Sequence, residues 1–469
     1  MISMRPNIIF FLIDGLRADQ CFGKDKTSFT PNIDSLRKKG MYFTNAFTSV
    51  DGTLLSLISI FHSIYPIKTP EVRSKYALQK NNLLAILAEN GYEINGLVSD
   101  LQSFTDYTNY FENNVKTFDY FKYVNKMDQF LLNTSSGVTD KIIDFLKSRT
   151  SKKSWFYYIH TETLHPLKEY FASYDNKRDL LNQGIKDFNN EKFGAGLYER
   201  TVSFIDHELG KILEHVDLDN TILILTSDHG QSIPYESHPE VDFEPKLEVS
   251  KKIGLKILPK ATHKIGGQFL SNIRMLVGKR KLNKSNKKLT NYQKRSRDPY
   301  FTLSLFDELI HVPLLFVGNS IKPRIITKQV RHVDISPTIY ELLDIPLDRK
   351  INGKSLISFD DESSQEENPS YLHTMPHHKL SPSDMVGLRT SKHKYFRAAR
   401  DPKANVNLYD LKNDPYENNN IAETNKKLVT QFEKLLLEMQ ENGFSEHVHE
   451  ENTEELKEVE YELKKLGYV

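Results

Sequence analysis

Three short segments of the sequence carry the side chains best suited to chemistry. Asp14 ends the run FFLID, Asp228 and His229 are adjacent in TSDHG, and Thr53 opens TLLSL. Carboxylates and imidazoles are common ligands of Zn, Mn or Fe, and a metal-bound hydroxyl can attack phosphorus or sulfur. The three segments therefore predict a metal-assisted site that acts on an anionic ester.

Each segment also has a simpler structural interpretation, which the local sequence leaves open. Asp14 can cap a helix after a strand, and the adjacent Asp-His pair can belong to a hydrogen-bonded turn. Thr53 can be an N-cap, with Ser56 in the first turn of the helix. In the catalytic interpretation, Gly52 frees the backbone and Thr53 stands at a helix start, where unpaired N–H groups favour an anion.

Continuous apolar runs bounded by polar turns predict strands that are covered on both faces. They lie at residues 7–13, 154–160, 221–227 and 312–318. Helical patterns lie between them, at residues 81–91, 139–148 and 202–216. This alternation is typical of a largely parallel sheet wrapped by helices.

The position of the polar residues relative to these runs favours the catalytic interpretation. Asp14, His160 and the pair Asp228–His229 all stand at the carboxyl ends of predicted strands. In parallel α/β sheets, catalytic residues gather just past those ends. Unrelated stretches of the chain therefore point to one place.

Length and composition limit the possible classes of protein. A chain of 469 residues can bury a catalytic core and a smaller appended unit. The formal net charge of +1 gives no general preference for polyanions, so no nucleic-acid partner is expected. The single cysteine, Cys21, rules out an intramolecular disulfide and a cysteine-based zinc site.

The apolar run at residues 7–13 resembles a signal-peptide core only superficially. It is short, ends in Asp14 and lacks a small-residue cleavage pattern, so a buried strand is the better interpretation. No stretch approaches the roughly 18 apolar residues of a membrane-spanning helix. We therefore expect a cytoplasmic protein that touches a membrane, if at all, from one side.

Composition also predicts the domain organisation. We expect a catalytic domain over residues 1–345, a C-terminal subdomain over 346–422 and a helical tail over 423–469. A Lys/Arg-rich insertion at about 240–300 interrupts the catalytic domain and contains KRKLNKSNKK. Such a cluster can attract an anionic polymer or lipid headgroups, and a solvated insert is the alternative.

Nine blocks of the chain, in order, resemble the sulfatases and their relatives in the alkaline phosphatase superfamily. They are RPNIIFFLIDGLRAD (5–19), TPNIDSLRKKGMYFTNAFT (30–48), the segment that ends in SIYP (63–66), ENGYEINGLVSD (89–100), HTETLHPLKEY (160–170), TSDHG (226–230), LFDELIHVPLLF (305–316), HVDISPTIYELL (332–343), and GLRTSKHKYFR with LYDLKNDPYENNNIA (387–397, 408–422). The resemblance implies an α/β fold of the alkaline phosphatase type. That fold is a three-layer α/β/α sandwich with a mostly parallel central sheet and a smaller C-terminal α+β subdomain.

The resemblance also implies roles for individual residues. Asp14, Asp228 and His229 match metal ligands, and Thr53 matches the residue that is both nucleophile and ligand. His165 is similar to the family histidine that contacts the transferred group or the leaving oxygen. The likeness is weaker for four further histidines, which either bind substrate or are packed in the interior: His160, His238, His311 and His332.

The departures from the family pattern bear on substrate and metal. The sulfatase signature C/S-x-P-x-R is absent around Thr53, so formylglycine cannot form. Relatives with a threonine nucleophile transfer phosphoethanolamine or phosphoglycerol, or cleave nucleotide phosphodiesters. Gly15 replaces the family's second carboxylate and Val98 its lysine, and Thr161 replaces the aspartate of two-zinc members. We expect one divalent ion, for which Mn, Mg or Zn suits the ligands better than Ca.

These residues predict a metal-dependent enzyme that cleaves or transfers a phosphodiester-type group through Thr53, with His165 protonating the departing oxygen. The substrate is expected to be a phosphorylated or sulfated small molecule, glycan or lipid headgroup. One alternative is a sulfuric ester hydrolase that works without formylglycine. The other is a catalytically inactive binding protein, against which the retention of Asp14, Thr53, Asp228 and His229 argues.

Overall fold

A computed structural model gives the fold of residues 5–67, 81–99, 113–118, 137–149, 153–164, 184–232, 290–295, 304–318, 321–347, 349–359, 368–374 and 382–442. The chain divides into two compact units, Met1–Ile233 with Pro299–Val469 and Pro234–Asp298. In the smaller unit, the described residues form one short helix, Asn291–Arg295. The predicted basic insertion overlaps this unit, and most of it lies outside the described residues.

Nine strands of the larger unit, counted within the described residues, form one mixed sheet. They are β1 (Asn7–Ile13), β2 (Met41–Phe47), β3 (Glu93–Ser99), β4 (Asn113–Phe118), β5 (Trp155–Thr161), β6 (Thr221–Thr226), β7 (His311–Val317), β8 (Arg324–Ile326) and β9 (Val330–Arg331). The strand order is β4-β3-β5-β1-β6-β7-β2-β8, and β9 also pairs with β2. Only β7, among these described strands, runs antiparallel to its neighbours. The prediction of a largely parallel sheet is therefore confirmed.

Helices cover both faces of this sheet. They are α1 (Pro31–Lys39), α2 (Thr53–His62), α3 (Leu83–Glu89), α4 (Val138–Ser148), α5 (Leu197–Leu213), α6 (Asp307–Ile310) and α7 (Ile335–Leu342). Successive side chains of a strand point to opposite faces. Accordingly, Phe10 of β1 packs in an apolar cluster with α2, α3 and α7, whereas Phe11 packs in another with α1, α4 and α5. The predicted three-layer α/β/α architecture is confirmed.

A second, antiparallel sheet forms the smaller α+β subdomain. Its strands are β10 (Ser370–His373), β11 (Met385–Arg389), β12 (His393–Ala398) and β13 (Asn407–Asp410), in that order. Helix α8 (Lys426–Asn442) packs against this sheet through Phe432 and Leu436, which are buried with Tyr395 of β12. Helix α8 is the described part of the predicted helical tail.

A buried charge cluster joins the second sheet to the segment before β7. Lys394 is fully buried and pairs with Asp307 and, at 2.6 Å, with Glu417. Because a buried charge that loses its partner is strongly destabilising, the cluster favours one placement of α6 against the second sheet. Helix α6 in turn contacts the loop after β6, since the Gly230 N–H donates to the Leu309 carbonyl at 2.8 Å.

The local predictions agree well with these elements. The four apolar runs are β1, β5, β6 and β7, and the three helical patterns are α3, α4 and α5. The run at residues 7–13 is an interior strand, paired on both sides by β5 and β6. Within the described residues, no helix combines the length and the apolar character that a membrane crossing needs.

Candidate active site

The sheet order places three chemistry-bearing strand ends side by side. Strand β1 lies between β5 and β6, with Ile13 paired to Thr161 and Leu12 paired to Thr226. Asp14 continues this pairing, because its N–H donates to the Thr161 carbonyl at 2.9 Å. The residues that follow the three strands therefore meet at one edge of the sheet, as parallel topology predicts.

The four residues predicted as metal ligands converge at this edge. The Thr53 hydroxyl oxygen lies 3.4 Å from Asp14 Oδ2 and 3.4 Å from His229 Nε2. His229 Nε2 lies 3.4 Å from Asp228 Oδ2 and 3.7 Å from Asp14 Oδ1. Four side chains from three distant segments thus direct their polar atoms into one small volume.

His160 joins this group, although the sequence suggested only a weak role in substrate binding. Its Nε2 lies 3.6 Å from Asp14 Oδ2, and one ligand atom from each of Asp14, His160 and Asp228 lies within 4.8 Å of the others. Its Nδ1 lies 3.0 Å from the Tyr158 hydroxyl. A hydrogen bond at the far nitrogen fixes the orientation of a ligating imidazole. The signal in the sequence was its place at the end of β5, beside β1.

The burial and hydrogen bonding of these residues fit a divalent cation. Asp14 is 3% exposed and Asp228 is fully buried. Asp228 Oδ1 accepts from the Gly15 N–H at 3.2 Å and from the His229 N–H at 2.9 Å, whereas Oδ2 has no hydrogen-bond donor among the described residues. Two neighbouring buried carboxylates are costly unless a cation compensates them.

The tautomer of His229 supports the same conclusion. Its Nδ1 lies 2.6 Å from the Gly230 carbonyl oxygen, which can only accept, so Nδ1 carries the proton. That bond leaves Nε2 as the atom that faces Asp14 and Asp228. Metal-bound histidines commonly donate the other ring N–H to a carbonyl in this way. The set of carboxylates, imidazoles and a hydroxyl therefore suits a first-row divalent metal.

Ser227 and Gly230 fix the loop that carries Asp228. The Ser227 hydroxyl accepts from the Leu16 N–H at 2.9 Å and donates to the His229 carbonyl at 2.6 Å, which ties the loops after β1 and β6 together. A Cβ at Gly230 would overlap the Glu308 carbonyl oxygen. Glycine is thus required here because the loop approaches α6 closely.

Thr53 is the first residue of α2, as predicted for a nucleophile at a helix start. Gly52 is the N-cap, so the N-cap interpretation of Thr53 is wrong. The expected reason for Gly52 is also wrong, because its φ of −162° and ψ of 157° are extended values open to any residue. No side chain caps this helix, and its first turn holds no acidic residue, which suits the approach of an anion.

Behind the site, Ser56 and His332 support the backbone of Asp228. The Ser56 hydroxyl donates to the Asp228 carbonyl at 2.7 Å and accepts from the Thr48 hydroxyl at 3.1 Å. His332 Nδ1 lies 3.0 Å from the same Ser56 oxygen, so it donates to it. Burial, and secondarily His229, lower the pKa of His332 to about 3, so it is neutral. His332 is fully buried, which favours a supporting role over the predicted contact with substrate.

We expect Ser56→Ala to weaken divalent metal binding by roughly 10- to 100-fold, the usual effect of losing a group that orients a ligand. The fold should persist, because one buried hydrogen bond contributes only about 1–3 kcal/mol. Calorimetric titration with Mn²⁺ measures the effect. Ser59→Ala is the matched control, since Ser59 is equally buried on α2 and donates to its own helix at Leu55. Equal affinities in the two variants would contradict the supporting role of Ser56.

Three further histidines were named from the sequence, and the structure does not place any of them at this site. His165 and His238 lie outside the described residues, so their roles stay predictions. His311 Nε2 lies 2.8 Å from the Thr44 carbonyl oxygen, and its ring stacks on Phe47 with centroids 4.8 Å apart. Burial lowers the pKa of His311. His311 is therefore a half-buried histidine that packs on β2.

Comparison with protein families gives two matches. Residues 6–345, more than half of the chain, match the family model Sulfatase. Residues 300–442 match the model for the C-terminal part of N-sulphoglucosamine sulphohydrolase. The first match contains every described site residue discussed above, from Asp14 to His332.

Known proteins with similar sequence or fold are consistent with these matches. The chain is 25% identical over 328 residues to an arylsulfatase of Clostridium perfringens, covering 51% of this chain and 68% of that protein. A protein solved with its substrate, D-glucosamine-2-N,6-O-disulfate, superposes with a TM-score of 0.59 at 16% identity, covering 95% of this chain and 100% of that one. The phosphonate monoester hydrolase of Agrobacterium radiobacter has a TM-score of 0.59 at 15% identity, with 93% and 96% covered. At such identities the two structures show the fold alone.

Proposed function

The chain belongs to the sulfatase family, and on that premise we propose that it hydrolyses a sulfuric ester, with the Thr53 hydroxyl as the attacking group. Members of this family are hydrolases of sulfuric or phosphoric esters. The observation that carries the proposal is the position of the Thr53 oxygen, 3.4 Å from both Asp14 Oδ2 and His229 Nε2 at the start of α2. A hydroxyl held among carboxylate and imidazole groups is well placed to be activated as a nucleophile.

One divalent ion per chain completes the proposed site. Asp14, Asp228, His229 and Thr53 would hold it, and His160 is a fifth candidate ligand. Two imidazoles favour Mn or Zn, carboxylates also allow Mg, and Ca is the least suited of the four. When bound, the ion would lower the pKa of the Thr53 hydroxyl and neutralise charge on an ester oxygen.

The residues of this chain then have distinct tasks. The N-terminal N–H groups of α2 receive the charged ester oxygens, which places the sulfur atom before Thr53. Thr53 passes its proton to Asp14 Oδ2, the acceptor of its hydrogen bond, and forms a new O–S bond. The bond from sulfur to the leaving oxygen breaks, and His165 gives that oxygen its proton. Water then attacks the sulfur atom, the bond from sulfur to the Thr53 oxygen breaks, and the products are inorganic sulfate and the free Thr53 hydroxyl. The almost complete burial of Asp14, Asp228 and His229 limits the access of bulk water while the group is transferred to Thr53.

A phosphoric ester is the second candidate, and the Thr53 side chain is the observation that favours it. Threonine cannot become formylglycine, and in the superfamily that these residues resemble it serves phosphorus chemistry. The sequence comparison favours sulfur, since a relative with a sequence match is an arylsulfatase, although one structural neighbour is a phosphonate monoester hydrolase. Transfer of the group to an acceptor other than water belongs to this second candidate.

A sulfated sugar or another sulfated small molecule is the proposed substrate class. One structural neighbour was solved with a disulfated glucosamine as its substrate, which is a small anionic sugar. The cation and the N-terminus of α2, which no side chain caps, would both stabilise such an anion. The proposal for this chain rests on that chemistry and on membership of the family.

A panel of chromogenic esters tests this proposal. The full chain, loaded with Mn²⁺, is assayed with an aryl sulfate, an aryl phosphate, an aryl phosphodiester and an aryl phosphonate. We expect kcat/KM for the sulfate to exceed the others by at least about tenfold, or about 1.4 kcal/mol of transition-state stabilisation. Turnover of the phosphodiester without turnover of the sulfate would contradict the first candidate and support the second.

A further inference from the structure

We propose that Gln231 supplies to the metal site the oxygen that position 15 lacks, and that this oxygen is neutral where relatives carry a carboxylate. The inference rests on the proposed function, because it assumes that the site holds a divalent ion. Gln231 follows the Asp228–His229 pair by two residues on the loop after β6. The amino-acid sequence alone does not show that Gln231 replaces a side chain at position 15, because the two positions are far apart in the chain.

The space beside Gly15 is already occupied. A Cβ built on Gly15 would lie 2.5 Å from Gln231 Oε1. Gly15 also has a φ of +72°, in the left-handed region that side chains other than glycine disfavour. Its N–H donates to Asp228 Oδ1 at 3.2 Å, which ties Gly15 to one of the carboxylates proposed to bind the ion. The Gln231 oxygen thus lies where a side chain at position 15 would begin.

The orientation of the Gln231 amide is fixed by its neighbour. The Nε2 group donates to the Leu164 carbonyl oxygen at 3.2 Å, and that oxygen can only accept. The nitrogen must therefore face Leu164, and Oε1 must face Gly15. Gln231 is 2% exposed, and among the described residues Oε1 has no hydrogen-bond donor. A buried amide oxygen without a hydrogen-bond donor is unfavourable, so we expect this oxygen to bind a positively polarised group or a cation.

The surrounding charge indicates that the partner is a cation. Gly15, which Gln231 Oε1 faces, follows Asp14 in the chain and donates its N–H to Asp228 Oδ1 at 3.2 Å, so this glycine joins the two carboxylate residues of the site. Amide oxygens are ordinary ligands of hard divalent ions such as Mg, Mn and Ca. With a neutral oxygen here, the site carries one negative charge fewer than a site with a carboxylate at position 15. An anionic ester is then repelled less.

Two variants of similar size separate an oxygen that binds the ion from a residue that only positions its neighbours. Gln231→Met removes both the oxygen and the contact with Leu164. Gln231→Glu also removes the N–H donor to Leu164 but provides a charged oxygen. Mn²⁺ affinity of the full chain is measured calorimetrically with no ester present. We expect Met to weaken binding by roughly 10- to 100-fold and Glu to bind at least as tightly as the wild type.

Gln20→Met is the matched control, because Gln20 is also buried and its Oε1 already accepts from the Thr27 N–H. We expect it to bind Mn²⁺ as the wild type does. The proposal is overturned if Gln231→Met keeps the wild-type affinity, or if Glu weakens binding as much as Met, which would assign Gln231 to positioning Leu164. If the Gln231 variants change Mn²⁺ affinity as expected but the wild-type protein hydrolyses no ester, the proposed function is contradicted and this inference is not. If the wild-type protein hydrolyses an ester but the Gln231 variants bind Mn²⁺ with the wild-type affinity, this inference is contradicted and the proposed function is not.

Discussion

Thr53→Ala is expected to lose ester hydrolysis by on the order of 10⁴-fold or more, the scale on which hydrolases respond to loss of their nucleophile. The physical reason is that Thr53 holds its hydroxyl oxygen 3.4 Å from both Asp14 Oδ2 and His229 Nε2, in the position from which it would attack the ester. The fold should survive, because the lost hydrogen bonds contribute about 1–3 kcal/mol against a typical total of about 5–15 kcal/mol. Steady-state assays with an aryl sulfate, together with circular dichroism, measure both effects.

Two further substitutions serve as controls for that result. Thr53→Ser keeps a hydroxyl that can ligate and attack, so it should retain part of the activity. Thr201→Ala removes another fully buried hydroxyl, which donates within α5 to Leu197, and it should leave the rate unchanged. Near-normal hydrolysis by Thr53→Ala would assign Thr53 a purely structural role at the start of α2.

Removal of the metal is expected to have the second largest effect. Treatment with a chelator should abolish hydrolysis and lower the thermal midpoint, because Asp14 and Asp228 would then be buried side by side without a compensating cation. An ion at 100 times its Kd stabilises the folded state by about 2.7 kcal/mol. Adding back Mn²⁺, Mg²⁺ or Zn²⁺ in parallel should restore the activity and identify the preferred ion. Activity that survives complete chelation would contradict the metal-assisted site.

The charge of Asp228 provides an independent check of the same site. Asp228→Asn keeps the shape and the acceptor oxygen for the Gly15 and His229 N–H groups, but it removes the negative charge. It should therefore fold and yet need a far higher concentration of metal for activity. Elemental analysis of the wild type should find one equivalent of metal per chain, whereas two tightly bound zinc ions would contradict the one-ion site.

The strands and the convergence of the site could be predicted because both follow from short-range patterns. Buried parallel strands are continuous apolar runs, and topology then brings their carboxyl ends together. This is why Asp14, Asp228 and His229 were found in the sequence. The start of α2 at Thr53 was also found, although for the wrong reason, since the extended backbone of Gly52 imposes no need for glycine.

The supporting residues could not be predicted because their roles depend on contacts between distant segments. Ser56 supports a carbonyl that lies 172 positions away along the chain, and only the packing of α2 against the loop after β6 shows this. The oxygen of Gln231 likewise fills the space beside Gly15 from the loop after β6. His160 was named, but its proximity to Asp14 depends on β5 and β1 being neighbours.

Mass spectrometry of enzyme quenched in acid during turnover of an aryl sulfate tests the central claim most directly. If Thr53 attacks the ester, the transferred group must reside for a time on its side-chain oxygen. We predict a rapid release of the phenol, together with a sulfated peptide that contains Thr53, and neither in Thr53→Ala. A rapid release with the Thr53 peptide unmodified, or with the group on another residue, would contradict the account.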